Sequence, residues 1–433
     1  MARHLAFRSF TAVALATPFL ASATAGAGAA EPEVTRRVLV VDYAAELGKA
    51  RPVVGFLGGL RDGIPDSLVQ PLHPSLWRIG HQFRGRIAGG LPAAIDRVGK
   101  LGAKYKLVMS DLITSNHKDW GKMDWAKYEA DIERLVKQVG VRAGRIIWEP
   151  VNEPDISHKP IERYYELYAR AFKALRKADA RLEICGPGFA FPSYDKTRQF
   201  LDYCRDNDLE CNYLAWHYTG WDPHVPQSQK WRLEELPDLC KQYPKREIRE
   251  IHCDEWGAGP AKPGRLHPGR AVVWFHYLEN VYKVDRACRA NWGKEDDYLG
   301  GIVTADAQPH PVWHVYRLYA AAKGTTRVRC TGSDRQLACL AAKTKGRREA
   351  LLGYLGSAAI PVELELRAVG IKDARVDIRA IGTDDLSGVL AGDADLPRAA
   401  NCRTRRDNDA LRITFDNVRE NEAYYVTVTP AKH

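Results

Sequence analysis

Two short stretches carry the residue types that do chemistry. In Ile146-Ile147-Trp148-Glu149-Pro150-Val151-Asn152-Glu153-Pro154-Asp155 an apolar, β-branched run gives way to Asn-Glu-Pro-Asp. Roughly a hundred residues on, Glu250-Ile251-His252-Cys253-Asp254-Glu255-Trp256-Gly257 repeats the arrangement, a short apolar strand closing on a glutamate. Pro154 has no backbone N–H and fixes its own φ, so the first strand is expected to end at Glu153. Each stretch thus sets a carboxylate at the carboxyl end of a buried strand, the edge where reacting groups collect in parallel α/β folds. Two such carboxyl groups can supply a proton donor and a nucleophile, the equipment for breaking a glycosidic bond.

The elements that must hold these residues alternate. Strand-like runs lie at Val53–Leu57, Leu76–Gly80, Tyr105–Asp111, Ile146–Glu153, Leu182–Pro187, Tyr213–Tyr218, Glu250–Glu255 and Leu299–Thr304. Between them fall helical patterns. The clearest has Asp124 as its cap and Trp125, Tyr128, Ile132, Leu135, Val136 and Val139 at spacings of three and four, with Gly140 to end it. A second carries Ile161, Tyr164, Tyr165, Tyr168, Phe172 and Leu175 on one face, which makes these aromatics core rather than a sugar platform. Eight strands with intervening helices over about 270 residues match a (β/α)₈ TIM barrel, an α/β fold, over residues 31–325. From about Thr326 the pattern changes to short alternating runs separated by turn residues, which predicts a small antiparallel β-sandwich over 326–433. The strand-like Val38–Tyr43 fits the barrel poorly, so residues 36–45 are assigned to pairing with that C-terminal sheet.

The chain has 433 residues, 45% hydrophobic and 27% charged, an ordinary globular balance with length enough for two domains. Residues 1–30 differ. Arg3 and Arg8 precede an apolar run from Phe10 to Leu20, and the small residues Ala21 to Ala27 follow, the layout of a secretory signal peptide. A membrane anchor fits less well because the run is short and contains Pro18, and no later stretch is long and apolar enough to span a membrane. An exported protein, periplasmic or secreted, is therefore expected. The net charge of +10 is dispersed apart from short clusters at Lys343 to Arg348 and Arg403 to Arg406; it tilts the choice of partner slightly towards an acidic polysaccharide, and no nucleic-acid module is present. Nine cysteines in an exported chain suggest disulfides, with Cys330–Cys339 across a turn and Cys204–Cys211 as the pairs close in sequence. Cys185 and Cys253 sit inside predicted strands and are expected to be free thiols. Metal-ligand spacing is absent, so neither a metal nor another cofactor is expected.

Four pieces in order carry a family likeness: Trp148 to Asp155 on strand four, Ile184-Cys185-Gly186-Pro187 on strand five, Leu214-Ala215-Trp216-His217-Tyr218 on strand six and Asp254-Glu255-Trp256-Gly257 on strand seven. Together they resemble the retaining (β/α)₈ glycoside hydrolases of clan A, and most closely glycoside hydrolase family 39, the β-xylosidase, iduronidase and exopolysaccharide hydrolase group, over roughly residues 50 to 325. The resemblance implies Glu153 as acid/base and Glu255 as nucleophile. Asn152 would contact the sugar 2-hydroxyl, and Arg78 would pair with Glu255. Tyr218 would orient Glu255, and His217 would contact substrate or fill the core. Trp256 would form a stacking wall or pack internally, and Glu149 would stand behind the site as a salt-bridge partner. In this scheme Glu153 is protonated near neutral pH by the charge of Glu255. Val151 stands where a tryptophan is common, Asp254 where a threonine is usual, and Thr304-Ala305-Asp306 lacks an aromatic. These departures leave the sugar open. An arabinofuranosidase or transglycosylase would use the same residues; a carbohydrate-binding barrel without catalysis would not need both glutamates.

Overall fold

Barrel closure is what brings the two glutamate stretches together. The computed structural model describes residues 35–58, 60–80, 89–113, 124–157, 160–220, 222–224, 231–257, 266–290, 298–382, 396–407 and 410–431. The segment read as a signal peptide lies outside the described residues. After the outlying strand β1 (Arg37–Lys49), eight short parallel strands close on one another. They are β2 (Gly55–Leu57), β3 (Leu76–Ile79), β4 (Lys104–Val108), β5 (Ile146–Glu149), β6 (Glu183–Phe189), β7 (Tyr213–Tyr218), β8 (Glu250–Trp256) and β9 (Arg286–Arg289). The helix Trp125–Val139 begins with the Asp124 carboxylate accepting from the Lys127 N–H at 3.0 Å and buries Tyr128, Ile132, Leu135 and Val139 against the barrel. The helix Glu162–Ala178 buries Tyr164, Tyr165 and Tyr168, with Tyr168 edge-on to Phe200 at 4.9 Å, so these aromatics are core.

Two boundaries differ from the sequence reading. The eighth barrel strand is Arg286–Arg289, not Leu299–Thr304. Leu299–Gly301 is a single 3₁₀ turn, with Gly300 and Gly301 at positive φ, and Val303 makes only isolated bridges. The true strand was hidden because arginines flank it. Their charges are absorbed internally, Arg286 by Glu250 at 2.5 Å and Arg289 by the Gly300 carbonyl at 2.9 Å. Thr304-Ala305-Asp306 is therefore not the end of a barrel strand. Likewise β5 ends at Glu149, four residues before Glu153, which sits in the following loop.

The eight C-terminal strands and β1 form a nine-stranded, mostly antiparallel sheet in the order β14-β17-β12-β11-β10-β1-β13-β16-β15. Here β10 is Thr326–Thr331, β11 Leu337–Thr344, β12 Arg347–Tyr354, β13 Ile360–Arg367, β14 Ala374–Ile381, β15 Cys402–Asp407, β16 Ala410–Val418 and β17 Ala423–Pro430. The sheet encloses its own core, including Leu39, Val41, Leu352, Val362, Leu364, Ile413, Phe415 and Val426, as a sandwich does. β1 lies between β10, antiparallel to it, and β13, parallel to it. The helix Pro268–His276 packs on β12 with Gly269 at the contact, where a Cβ would stand 2.7 Å from the Tyr354 carbonyl oxygen, so only glycine admits this approach. Among the described residues no helix is long and apolar enough to cross a membrane.

All nine cysteines are free thiols, so neither expected disulfide is formed. Cys204 and Cys211 are buried core groups, the latter reaching the Tyr213 carbonyl at 3.4 Å. The thiols of Cys330 and Cys339 interact with each other as thiols and also lie near the carbonyls of Val328 and Leu340. Cys185 and Cys253 are buried thiols, as the strand positions suggested.

Candidate active site

At the carboxyl end of the barrel one arginine organises the carboxylates. Arg78, on β3 and 1% exposed, donates Nε to Glu149 Oε2 and Nη2 to Glu149 Oε1, each at 2.7 Å. Nη1 donates to Glu255 Oε1 and Nη2 to Asn152 Oδ1, again at 2.7 Å. The fork geometry of guanidinium matches this multiple role; a lysine could not make all four bonds. Beneath it Lys106, on β4, donates Nζ to both carboxylate oxygens of Asp254 at 2.7 Å.

Asp254 and Glu255 are consecutive yet both reach this polar interior. Alternation along an ideal strand would send one of them outward. The registers of β8 with β7 and with β9 each slip by one residue between Cys253 and Trp256, a bulge that re-aims the strand end.

Glu153 is placed differently. Its φ is +49°, in the left-handed region that L residues rarely adopt. Such a conformation costs on the order of 1–3 kcal/mol in a non-glycine residue and is characteristic of functional turns. The loop is tied down by Glu153 N–H donating to the Gly188 carbonyl at 3.2 Å and by Asp155, whose carboxylate accepts from the N–H groups of Ala190 and Phe191. Gly188 itself has φ +65°, and a Cβ there would lie 2.9 Å from Glu149 Oε1. Gly188→Ala is therefore expected to lower stability by about 1–3 kcal/mol and to loosen Glu149 from Arg78. An unchanged thermal unfolding midpoint in that variant would contradict this account.

His217, at the end of β7, stands between the glutamates. Its Nδ1 lies 3.1 Å from Glu153 Oε1 and 3.7 Å from Glu255 Oε1. One oxygen of each glutamate and one nitrogen of His217 lie within 4.8 Å of one another. These atom types also occur at metal sites, but Arg78 and Lys106 already supply positive charge among these carboxylates. Glu255 Oε2 and His217 Nε2 are buried with no hydrogen-bond partner among the described residues, which leaves two polar atoms for a substrate to satisfy.

The electrostatics reverse one expectation. Burial raises the Glu153 carboxyl, but the hydrogen bond and charge of His217, with the charge of Arg78, outweigh it and hold Glu153 below the usual carboxylate range. Burial raises Glu255, and the charge of Glu153 adds to that rise, so Glu255 stays above the usual range despite His217 and Arg78. Burial lowers His217, but the charge of Glu255 and the bond to Glu153 leave its imidazole above the usual value. In the open site, then, the raised proton affinity lies on His217 and Glu255 rather than on Glu153.

Of the residues singled out in the sequence, Glu153, Glu255, Asn152, Arg78, His217 and Glu149 meet here. Two do not. The Tyr218 ring packs edge-on against Trp231 at 5.5 Å and near Trp274, and Glu255 is oriented by Arg78 and His217 instead. Trp256 is 1% exposed and stacks on Tyr316 at 11° and against Trp274, so it fills the layer between barrel and helices rather than walling the pocket. Lys106 and Asp254 escaped notice as functional groups. The only hint was a lysine inside an otherwise apolar strand, Tyr105-Lys106-Leu107.

Residues 119–274 match the family described as Glycosyl hydrolases family 39. A β-xylosidase of Caldicellulosiruptor saccharolyticus is 21% identical over 198 residues, which cover 41% of this chain and 38% of that protein. The chain therefore aligns with well under half the length of this curated relative. Among solved structures, a protein of Neocallimastix frontalis superposes with a TM-score of 0.74 at 18% identity, covering 92% of this chain and 100% of that one. The family 39 enzyme of Xanthomonas axonopodis pv. citri superposes with a TM-score of 0.65 at 15% identity, covering 92% of this chain and 98% of that one.

Proposed function

We propose that this chain, a family 39-like barrel of glycoside hydrolase clan A, is a retaining glycosidase. The observation that carries the reading is the placement of Glu153 and Glu255, with oxygens within 4.8 Å of each other and Glu255 Oε2 unpartnered. Retaining enzymes hold their carboxyl groups about 5–5.5 Å apart, whereas inverting ones need about 6.5–9.5 Å to admit a water.

In this mechanism Glu255, fixed by Arg78 through Oε1, attacks the anomeric carbon with Oε2. The bond to the leaving oxygen breaks and that oxygen takes a proton from Glu153. His217 Nδ1, 3.1 Å from Glu153 Oε1, is the group placed to exchange a proton with Glu153 as the sugar fills the pocket. A glycosyl ester on Glu255 results. Esterification removes the negative charge of Glu255, and Glu153 then accepts a proton from the water that releases the sugar. Asn152 has its oxygen committed to Arg78, so its amide N–H group is the one turned to the sugar 2-hydroxyl. The names of the relatives make β-xylosides the first substrates to try, and the basic balance adds acidic polysaccharides as a second class. The N-terminal layout supports export of the protein.

Glu153→Gln tests the assignment. Hydrolysis of oligosaccharides and alkyl glycosides is expected to fall by roughly 10²–10⁴-fold, since their leaving oxygens need a proton. Aryl glycosides with acidic phenol leaving groups should be affected far less in the first step. The first product, read by NMR, should keep the configuration of the substrate. Inversion, or undiminished activity on alkyl glycosides, would reject the mechanism.

A further inference from the structure

The buried charges around Glu255 include a pair, Lys106 and Asp254, that the mechanism above does not use. Arg78 and Lys106 are the cations and Glu149, Asp254 and Glu255 the carboxylates, all 2% exposed or less. With its three carboxylates ionised, this set carries one negative charge in excess. Lys106 grips both oxygens of Asp254, and Cys185 Sγ lies 3.2 Å from the same Nζ. Asp254 Oδ2 is only 3.7 Å from Arg78 Nε, so it stands ready to compete for the arginine.

We propose that Lys106 and Asp254 are a positioning pair: by holding the Asp254 carboxylate, Lys106 leaves Arg78 free to fix and neutralise Glu255. This rests on the glycosidase reading and extends it one layer into the barrel. Without Lys106, three buried carboxylates would share one guanidinium. Burial alone would favour the neutral form of Asp254, and the charges of Lys106 and Arg78 keep it ionised. The other groups facing the pair come from nearly every strand. They are Arg78 on β3, Glu149 on β5, Cys185 on β6, His217 on β7, His252 on β8 and Cys288 on β9. Burial and the charge of Lys106 push His252 down to about 4, so beside Lys106 it is neutral at neutral pH.

The test compares Lys106→Met, Asp254→Asn and the double variant through the pH profile of kcat/KM. Lys106→Met adds one uncompensated negative charge, so the acid limb should move up by about one to two pH units. Asp254→Asn removes one, so the limb should move down by about one unit. The double variant restores the original charge excess and should return the limb to within roughly half a unit of wild type and recover most of the lost kcat/KM. Merely structural damage would lower activity without opposite shifts and without recovery. Shifts of the same sign in the two single variants, or a double variant no better than the worse single, would overturn the proposal. The same ordering can be read without turnover, by ¹³C NMR titration of glutamate-labelled protein, following the carboxylate that is lost in Glu255→Gln. If wild type hydrolyses no glycoside, the glycosidase reading falls, and this titration still decides whether the pair governs Glu255.

Discussion

Glu255→Gln is expected to lower kcat/KM by on the order of 10⁴-fold while leaving the thermal midpoint close to that of wild type. Glutamine retains an oxygen to accept from Arg78 Nη1, so the 2.7 Å contact and the packing survive. What is lost is the nucleophile, and an amide at that position forms no glycosyl ester. Losing a group that makes the covalent bond typically removes most of the acceleration, with a residue left over from binding and the remaining charges. The burial that raises Glu255 also means that the folded state gains little from its ionised form, so neutral replacement costs little stability. Two measurements check this. Kinetics on aryl glycosides gives the fall in rate. Intact-protein mass spectrometry after rapid quench should find the sugar adduct on wild type and not on Glu255→Gln. A variant that keeps its activity, or an adduct that persists in it, removes Glu255 from the nucleophile role.

Arg78→Met should be damaging in a different way. The substitution deletes four charge-assisted hydrogen bonds, two to Glu149, one to Glu255 and one to Asn152. It leaves Glu149 and Glu255 buried without their cation. Breaking a buried pair on one side costs about 3–5 kcal/mol, because the partner is stranded in a poor solvent for charge. For a chain of 433 residues, with an unfolding entropy of roughly 2.1 cal/mol/K per residue, that corresponds to a fall in Tm of roughly 3–6 °C. The sign of the pH dependence follows. The stranded carboxylates are relieved by protonation, so the deficit relative to wild type should shrink as the pH is lowered and widen above neutrality. Activity should be lost as well, since Glu255 would take up a proton in place of the arginine. Thermal unfolding across pH 4–9 separates the outcomes. A Tm near wild type at every pH would mean that Arg78 does not bear the charge of this cluster.

Much of this was readable before any fold was known. The helix Trp125–Val139 announced itself through Asp124, Gly140 and an unbroken 3.6 period, because capping and amphipathic burial act over neighbouring residues. Glu153 and Glu255 stood out because each follows a run apolar enough to be buried on both faces. The change to alternating strands after Thr326 marked the second layer of the molecule, since period-two burial is also local.

The rest depended on residues far apart in the chain. Barrel closure selected Arg286–Arg289 as the eighth strand over the more apolar Leu299–Thr304, because two arginines found partners in Glu250 and Gly300 that no local pattern contains. A one-residue bulge turned Asp254 inward beside Glu255, and a strand pattern read by alternation is blind to such a slip. Tyr218 and Trp256 carried the right chemistry for a sugar site, but neighbouring helices drew their rings into packing. His217 lowers the proton affinity expected of Glu153 because it lies between two carboxylates, one from the loop after β5 and one from β8. The kinds of reacting group and their places at strand ends are local properties, set by residue type and hydrophobic period. Which way each side chain points, what charge it faces and therefore where its proton sits follow from register and closure, which join β3, β4, β5, β7 and β8 across as many as 177 residues of sequence.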